Sequence, residues 1–414
     1  MEADLRERLR RLGVHKGIAQ LKPARSPLPP AHFTDDLTPL ETPLGFAYVR
    51  SRRFPLDYAH GKHRIGDILH LPKVTLALFG TRHTSEMTLA LDEALFLDIE
   101  TSGLTGAGNL AFLVGVAYTE GDQLVLEQFF LRNPAEEAAL LFALAQRLSM
   151  RPALFTFNGA AFDVPLLETR FLRARLSATL SEHVHVDLLL PARRLWRRVL
   201  GACHLGALEY HVLGVQRSQL DVYSAIIPQL YREFLLFGNG VLNEDMRRVL
   251  YHNEQDVLSL VVLAGHIAET LLNPSDAPAH LALGQHHEQR GEHDRACQHY
   301  QAAAQRADRP TLKSEALRRL ARQLKRRGEH DAAFHYWQQL AALDDLEGII
   351  EAAKYLEWRK GDVAAALLLA RKGLALAVTR AQRAALRQRV SRLSKKVLLK
   401  RRAVQQAAQG AHRQ

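Results

Sequence analysis

Four acidic residues in three separated segments carry the chemistry available to this sequence. Asp98 and Glu100 stand two apart in the run Ala94 to Thr101, whose apolar character predicts a buried strand. Side chains alternate along a strand, so the two carboxylates share a face while Leu97 and Ile99 point to the other. Two carboxylates at the end of a buried strand are costly unless a cation compensates them, and a divalent ion would do so. Asp163 closes Phe157-Asn-Gly-Ala-Ala-Phe-Asp163, where a strand ends, a polar loop follows and a helix begins. An aspartate there is also an ordinary helix cap. His252 and Asp256 lie four residues apart on a helix predicted to start near Asn243, hence on one face of it. Each pattern alone is common. Together they form an oxygen-rich donor set of the kind that suits Mg²⁺ or Mn²⁺ better than cysteine or histidine clusters do.

These residues need a scaffold, and the surrounding pattern predicts one. Strands are expected at 94–99, 110–118 and 124–130, with Gly121-Asp122 as the turn between the last two. Pro134 opens a helix to about Leu148, a strand follows at 153–157, and a helix starts after Asp163. A short strand ends at Asp187, and helices are expected at 188–199, 204–213 and 243–272. Three meandering strands followed by alternating helix and strand make an α/β sheet with helices on its faces. Asp187 is either a support beside the site or a helix N-cap. Arg193, Arg194, Arg197 and Arg198 either contact phosphates or form a solvated helix face. Gly103, Gly106 and Gly108 lack a following Lys-Ser/Thr, so they are not a P-loop; close approach of a substrate strand suits them better.

Beyond this core, residues 1–35 read as a short amphipathic helix (Leu5, Leu9, Leu12) and a proline-rich linker. Residues 36–90 read as a strand-rich extension, with strands at Gly45–Val49 and Val74–Phe79. His60, His63 and His70 fall there without metal-site spacing, so they are read as surface or loop histidines. After Asn273-Pro274 strand signals vanish. Arg290-Gly-Glu-His-Asp294 recurs as Arg327-Gly-Glu-His-Asp331 and, more weakly, at Lys360-Gly-Asp-Val363. Each glycine is followed five residues later by Ala296, Ala333 or Ala366, and the first two are followed nine later by Tyr300 and Trp337. Such a period predicts paired helices around glycine turns.

The combination of motifs resembles the DEDD, or DnaQ-like, exonuclease superfamily. More closely, Asp98-Ile-Glu-Thr-Ser-Gly-Leu104, the 157–165 segment, His185-Val-Asp-Leu188, Leu205-Gly-Ala-Leu-Glu209 and Tyr231 resemble the YprB-type RNase H-like proteins. That resemblance covers about residues 36–272. It implies a five-stranded mixed sheet flanked by helices over 91–273, and tetratricopeptide-like repeats over 274–375. It also implies a metal-dependent 3′→5′ exonuclease acting on single-stranded DNA or RNA. Two ions, Mg²⁺ or Mn²⁺, would be held by Asp98, Glu100, Asp163 and Asp256, with Asn158, Thr101 and Phe162 on the substrate. In the superfamily the residue serving the catalytic water is a Tyr four before the last Asp or a His five before it. Here His252 holds the first spacing and Tyr251 the second, so type and position are crossed. His252 is preferred because it faces Asp256 and suits base work near neutral pH.

Composition limits the alternatives. The longest strictly apolar runs have eight residues, too short for a membrane span by that measure, and the N-terminus has no signal-peptide character. The two cysteines, Cys203 and Cys297, build neither a disulfide framework nor a zinc site, and a cytoplasmic protein is expected. The net charge of +11 belongs to the end of the chain: residues 371–414 contain 13 Lys/Arg and no Asp/Glu, leaving 42 basic against 44 acidic residues elsewhere. The tail over 376–414 is expected to be a basic helix that holds nucleic acid or is simply solvated. Leu386, Val390, Leu393 and Val397 share one of its faces, as a cap on the repeats or as a membrane-surface stripe. A rival reading makes the chain a nucleic-acid-binding or repeat scaffold with a weak site, whose repeats recruit a protein partner.

Overall fold

The computed structural model describes residues 37–75, 79, 88–103, 108–177, 180, 183–237 and 241–411. The expected N-terminal helix and linker, and Gly106, lie outside these residues. One seven-stranded sheet organises the first part of the chain. Its strands are β1 (Thr38–Thr42), β2 (Gly45–Pro55), β3 (Ala94–Thr101), β4 (Ala111–Glu120), β5 (Gln123–Phe130), β6 (Ala153–Thr156) and β7 (Val184–Asp187), in spatial order β1-β2-β5-β4-β3-β6-β7. β3, β4 and β5 form the expected meander, and β6 and β7 add in parallel beside β3.

Five strands were expected and seven are present. The hairpin β1–β2 pairs antiparallel along β5, Val49 opposite Phe129 through Pro55 opposite Gln123. It therefore belongs to the main sheet, not to a separate extension. The cause is an open sheet edge: β5 is buried along nearly its whole length and needs a partner strand on its free side. Of the strand expected at Val74–Phe79, Val74–Thr75 pairs with Thr88–Leu89, and 76–78 lie outside the described residues. His60 is a correction too. It is buried and bonds Ser259 Oγ through Nε2 at 2.8 Å, so it is a core residue.

Helices α1 (Glu137–Leu148), α2 (Asp163–Arg173), α3 (Leu189–Leu200), α4 (Ile227–Phe237) and α5 (Glu244–Leu272) cover the sheet. Alternation along β3 divides the core: Phe96 packs with α3 and the long α5, while Leu95 and Leu97 pack with α1, α2 and α4. α4 was not foreseen, although Ile227, Tyr231 and Phe234 supply its buried face at helical spacing. Tyr231 stacks on Phe112 at 3.8 Å and donates its hydroxyl to Leu131 O at 2.9 Å. α5 starts on the Asn243 cap, which accepts from Met246 N at 2.9 Å. It is long and apolar enough to cross a membrane, but 67% of that stretch is buried inside the fold. Its apolarity is spent on the core.

The second part is helical: α6 (Ala277–Gln289), α7 (His293–Arg306), α8 (Pro310–Arg326), α9 (His330–Ala342), α10 (Leu346–Tyr355), α11 (Val363–Leu376) and α12 (Arg380–Ala411). Consecutive helices pack on one another. Gly291, Gly328 and Gly361 take the left-handed turns between partners, with φ of 74°, 80° and 66°. Ala296, Ala333 and Ala366, five residues on, are all fully buried, which explains why only a small residue recurs there. Arg198 pairs with Glu315 at 3.3 Å and Arg309 donates to Val199 O at 3.0 Å, so part of the α3 arginine cluster serves the junction with this stack.

α12 is docked by Leu386 and Leu393 and by one buried charge. The Glu357 carboxylate, with a side chain 0% exposed, accepts from Arg389 at 3.1 Å, Arg392 at 2.9 Å and Lys396 at 2.8 Å. Glu357→Gln removes the charge that three cations share. A loss of about 1–3 kcal/mol is expected in a denaturant melt; an unchanged midpoint would show that α12 is held by its apolar seam alone.

Candidate metal centre

β6 pairs with β3 only from Ala94 to Phe96, so the last residues of β3 run past the end of its parallel neighbour. Asp98 and Glu100 project there, at the carboxyl ends of the parallel strands, where open α/β sheets place their ligands. Asp163 reaches the same place from the first turn of α2, and its Oδ1 accepts from Ile99 N at 3.2 Å. Asp256 and His252 descend from α5. His252 Nε2 lies 3.7 Å from Glu100 Oε1 and 3.4 Å from Asp256 Oδ2. The structure thus gathers Asp98, Glu100, Asp163, Asp256 and His252 in one place.

The distance between α5 and the sheet is set by a glycine. A Cβ on Gly115 of β4 would stand 2.2 Å from Asn253 Oδ1 and 2.9 Å from Val257 Cγ2, so only glycine admits the helix this close. The approach lets Asn253, 0% exposed, donate to Asp98 Oδ2 at 2.9 Å. Asn253 Oδ1 in turn accepts from Gln128 Nε2 at 2.9 Å, and Gln128 Oε1 accepts from Arg50 at 2.7 Å. Arg50 and Arg52 then close on the buried Glu254, at 2.9 and 2.6 Å. A chain of buried polar groups from β2 through β5 to α5 therefore orients the first carboxylate.

The other foreseen residues have varied placements. Asp187 accepts from Asn158 N at 2.7 Å, Ala160 N at 3.3 Å and Leu189 N at 3.0 Å. It ties the loop that delivers Asp163 to the first residue of α3, whose N-cap position is Leu188. Asn158 takes a left-handed φ of 63° in that loop. Phe162 is 62% exposed beside Asp163, and Thr101 donates to Gly103 O at 2.7 Å. Tyr251 lies off the carboxylate face and near Tyr58, whose pKa its charge helps to raise after burial and Glu254.

Arg217, Asp221 and Ser224 were not anticipated. They come from the irregular segment between Gly214 and α4, where no periodicity marks them. Arg217 donates twice to Glu209, at 2.6 and 2.7 Å, and once more to Asp256 Oδ1. His252 Nδ1 bonds Asp221 Oδ1 at 2.6 Å, and its Nε2 lies 3.2 Å from Ser224 Oγ. The available signal was indirect: four carboxylates need a cation, and a loop arginine can supply one.

Charge governs this site. Burial, then repulsion from Asp256, Asp163 and Glu100, holds Asp98 well above the usual carboxylate range. Burial carries Glu100 up to about 8 despite His252, and Asp163 to about 7 despite its backbone hydrogen bonds. Burial also raises Asp256, against the pull of His252 and Arg217. For His252 burial opposes the charged ring, but the Asp221 hydrogen bond and the charges of Asp256 and Glu100 outweigh it and lift the pKa to about 9. These shifts are the signature of donors facing too little positive charge. Glu100, His252 and Asp256 each present a donor atom within 4.8 Å of the others. The donor set fits a divalent cation.

Residues 95–268 match the RNase_H superfamily. Over this part the chain resembles an RNase H-like domain. The chain is also similar to a Bacillus subtilis (strain 168) protein, the uncharacterized protein YprB, with 35% identity over 238 residues. That match covers 56% of this chain and 56% of the relative, so the chain spans little more than half the length of the curated relative it matches. Every carboxylate of the cluster lies inside the RNase H-like segment, a superfamily that usually works with divalent ions.

Two outcomes follow from this geometry. Gly115→Ala should separate α5 from β4, costing about 1–3 kcal/mol in a denaturant melt and loosening the Asn253–Asp98 bond; a neutral substitution would refute the close-approach argument. The second concerns pH. Glu100, Asp163 and His252 keep protons in the folded chain that the unfolded chain releases at about pH 4–6.5. The folded state then binds more protons than the unfolded one, so stability falls as pH rises through the raised values, up to about 8 for Glu100 and about 9 for His252. His60, His266, His286 and His299, lowered to about 4 chiefly by burial, act the other way, but only below about pH 6.5. In EDTA the melting temperature should therefore drop between pH 6.5 and 8, and Mn²⁺ should restore more stability at pH 8. A flat profile in EDTA would contradict this charge distribution.

Proposed function

We propose that this protein hydrolyses nucleic acid with divalent metal ions, and that it does so as a 3′→5′ exonuclease on single strands. The observation that carries the reading is the convergence of Asp98, Glu100, Asp163 and Asp256, with His252, at the carboxyl end of β3 in an RNase H-like domain. Asp98, Glu100, Asp163 and Asp256 would hold two Mg²⁺ or Mn²⁺ ions, which activate water and offset charge on the scissile phosphate. His252, oriented by Asp221 through Nδ1, presents Nε2 toward the carboxylates; bound cations that offset the charge of Glu100 and Asp256 would release the proton it carries here and let it accept one from the attacking water.

The surroundings support a single-stranded substrate. A cleft of about 680 Å³ runs past His252 and Asp256. Tyr210 and Tyr223 line it, 64% and 57% exposed, and the exposed Phe162 flanks Asp163. Exposed aromatic rings beside a metal site give unpaired bases surfaces for stacking. The helices of 277–376 are read as tetratricopeptide-like repeats for a protein partner, and α12 as a basic arm that adds phosphate contacts.

The test is direct. A 5′-labelled single-stranded oligomer, DNA or RNA, should shorten stepwise from its 3′ end in Mn²⁺ or Mg²⁺ and remain intact in EDTA. Asp98→Asn and Asp256→Asn should each lower the rate about a hundredfold or more while leaving the fold intact by circular dichroism. Internal cleavage would exclude the exonuclease reading. Absence of any hydrolysis would favour a nucleic-acid-binding scaffold, the reading to which the Arg217–Asp256 contact lends some weight.

A further inference from the structure

Arg217 is the feature of the site that the carboxylate chemistry does not require. Its guanidinium lies against Asp256, and it is not free to leave. Glu209, only 2% exposed, grips it through two hydrogen bonds. Glu209 is itself fixed by Ser259 Oγ at 2.6 Å, and Ser259 contacts the buried His60. The segment carrying Arg217 is pinned to α5 as well, because Arg248 donates to Leu220 O and Asp221 O at 3.2 and 3.1 Å. The positive group is therefore anchored by Glu209, Ser259 and Arg248, none of which the metal reading uses as a ligand.

Two ions placed among Asp98, Glu100, Asp163 and Asp256 would not meet the same surroundings. An ion on Asp98 and Asp163 faces carboxylates and the Asn253 amide. An ion on Asp256 must either displace the guanidinium from Oδ1 or use Oδ2 beside His252, and in both cases it sits near a fixed positive charge. Like charges a few ångströms apart in a poorly hydrated pocket repel strongly. We propose that Arg217 is a tethered cation that competes with one of the two ions for Asp256. The second position is thereby kept weak until the negative charge of a substrate phosphate enters. The consequence is ordered loading: one ion binds the free protein, and the pair is completed only with nucleic acid in place. This inference rests on the metal reading of the site and adds a rule for how the site fills.

The experiment counts ions, not turnover. Mn²⁺ alone is titrated into the full chain, with binding followed by calorimetry and by the electron paramagnetic resonance signal of free Mn²⁺. Wild type is expected to show one tight event and a second about tenfold or more weaker. The double variant Arg217→Gln with Glu209→Gln removes the paired charges together, so no buried carboxylate is stranded. It is expected to tighten the second event about tenfold or more. Arg217→Lys keeps a cation and should retain a weak second event. The proposal is overturned if the folded double variant binds the second ion no more tightly than wild type, or if wild type takes two ions with equal strength. If no Mn²⁺ binding in any of these proteins is lost on Asp98→Asn, the metal reading itself falls, and this inference with it.

Discussion

Bringing four carboxylates together at the edge of a protein core is opposed twice, by lost hydration and by mutual repulsion. Much of the architecture answers that opposition. Asp98 is steadied by a buried amide, Asp163 by a backbone N–H, and Asp256 by a guanidinium and an imidazole. Even so, all four remain shifted toward their neutral forms, so the site as built awaits more positive charge. A divalent ion satisfies that demand, and this links the local electrostatics to the RNase H-like domain that surrounds them.

The same demand accounts for the depth of the supporting network. A carboxylate held by a long flexible contact would turn away from its neighbours. Asn253, Gln128, Arg50 and Glu254 prevent this by satisfying one another inside the fold, and they tie β2, β5 and α5 into one unit. The added hairpin β1–β2 is thus more than an edge cover, because it contributes Arg50 and Arg52 to the support of α5. A fold of five strands would lack that anchor.

Charge is partitioned along the chain in a parallel way. The RNase H-like part is nearly balanced, and its arginines are largely committed: Arg170 to Glu137, Arg147 to Glu127, Arg217 to Glu209. The excess is carried by α12, where Glu357 fixes one side of the helix. The basic helix therefore has a defined seat on the stack, which distinguishes it from a loose charged tail.

Several features were legible in the sequence because their causes are local. Alternation along Ala94 to Thr101 put Asp98 and Glu100 on one face, i, i+4 spacing put His252 beside Asp256, and glycine turns marked the paired helices. Others depend on contacts between distant segments and leave no periodic trace. The pairing of β2 with β5 exists only because a sheet edge was open. The hold of Asn253 on Asp98 exists only because Gly115 lets a helix approach. The sequence by itself determined which residues could bind a metal and on which faces they lie. Only the tertiary structure decided what opposes their charge, since Arg217 comes from an irregular loop and reaches Asp256 through packing, not through any spacing in the chain.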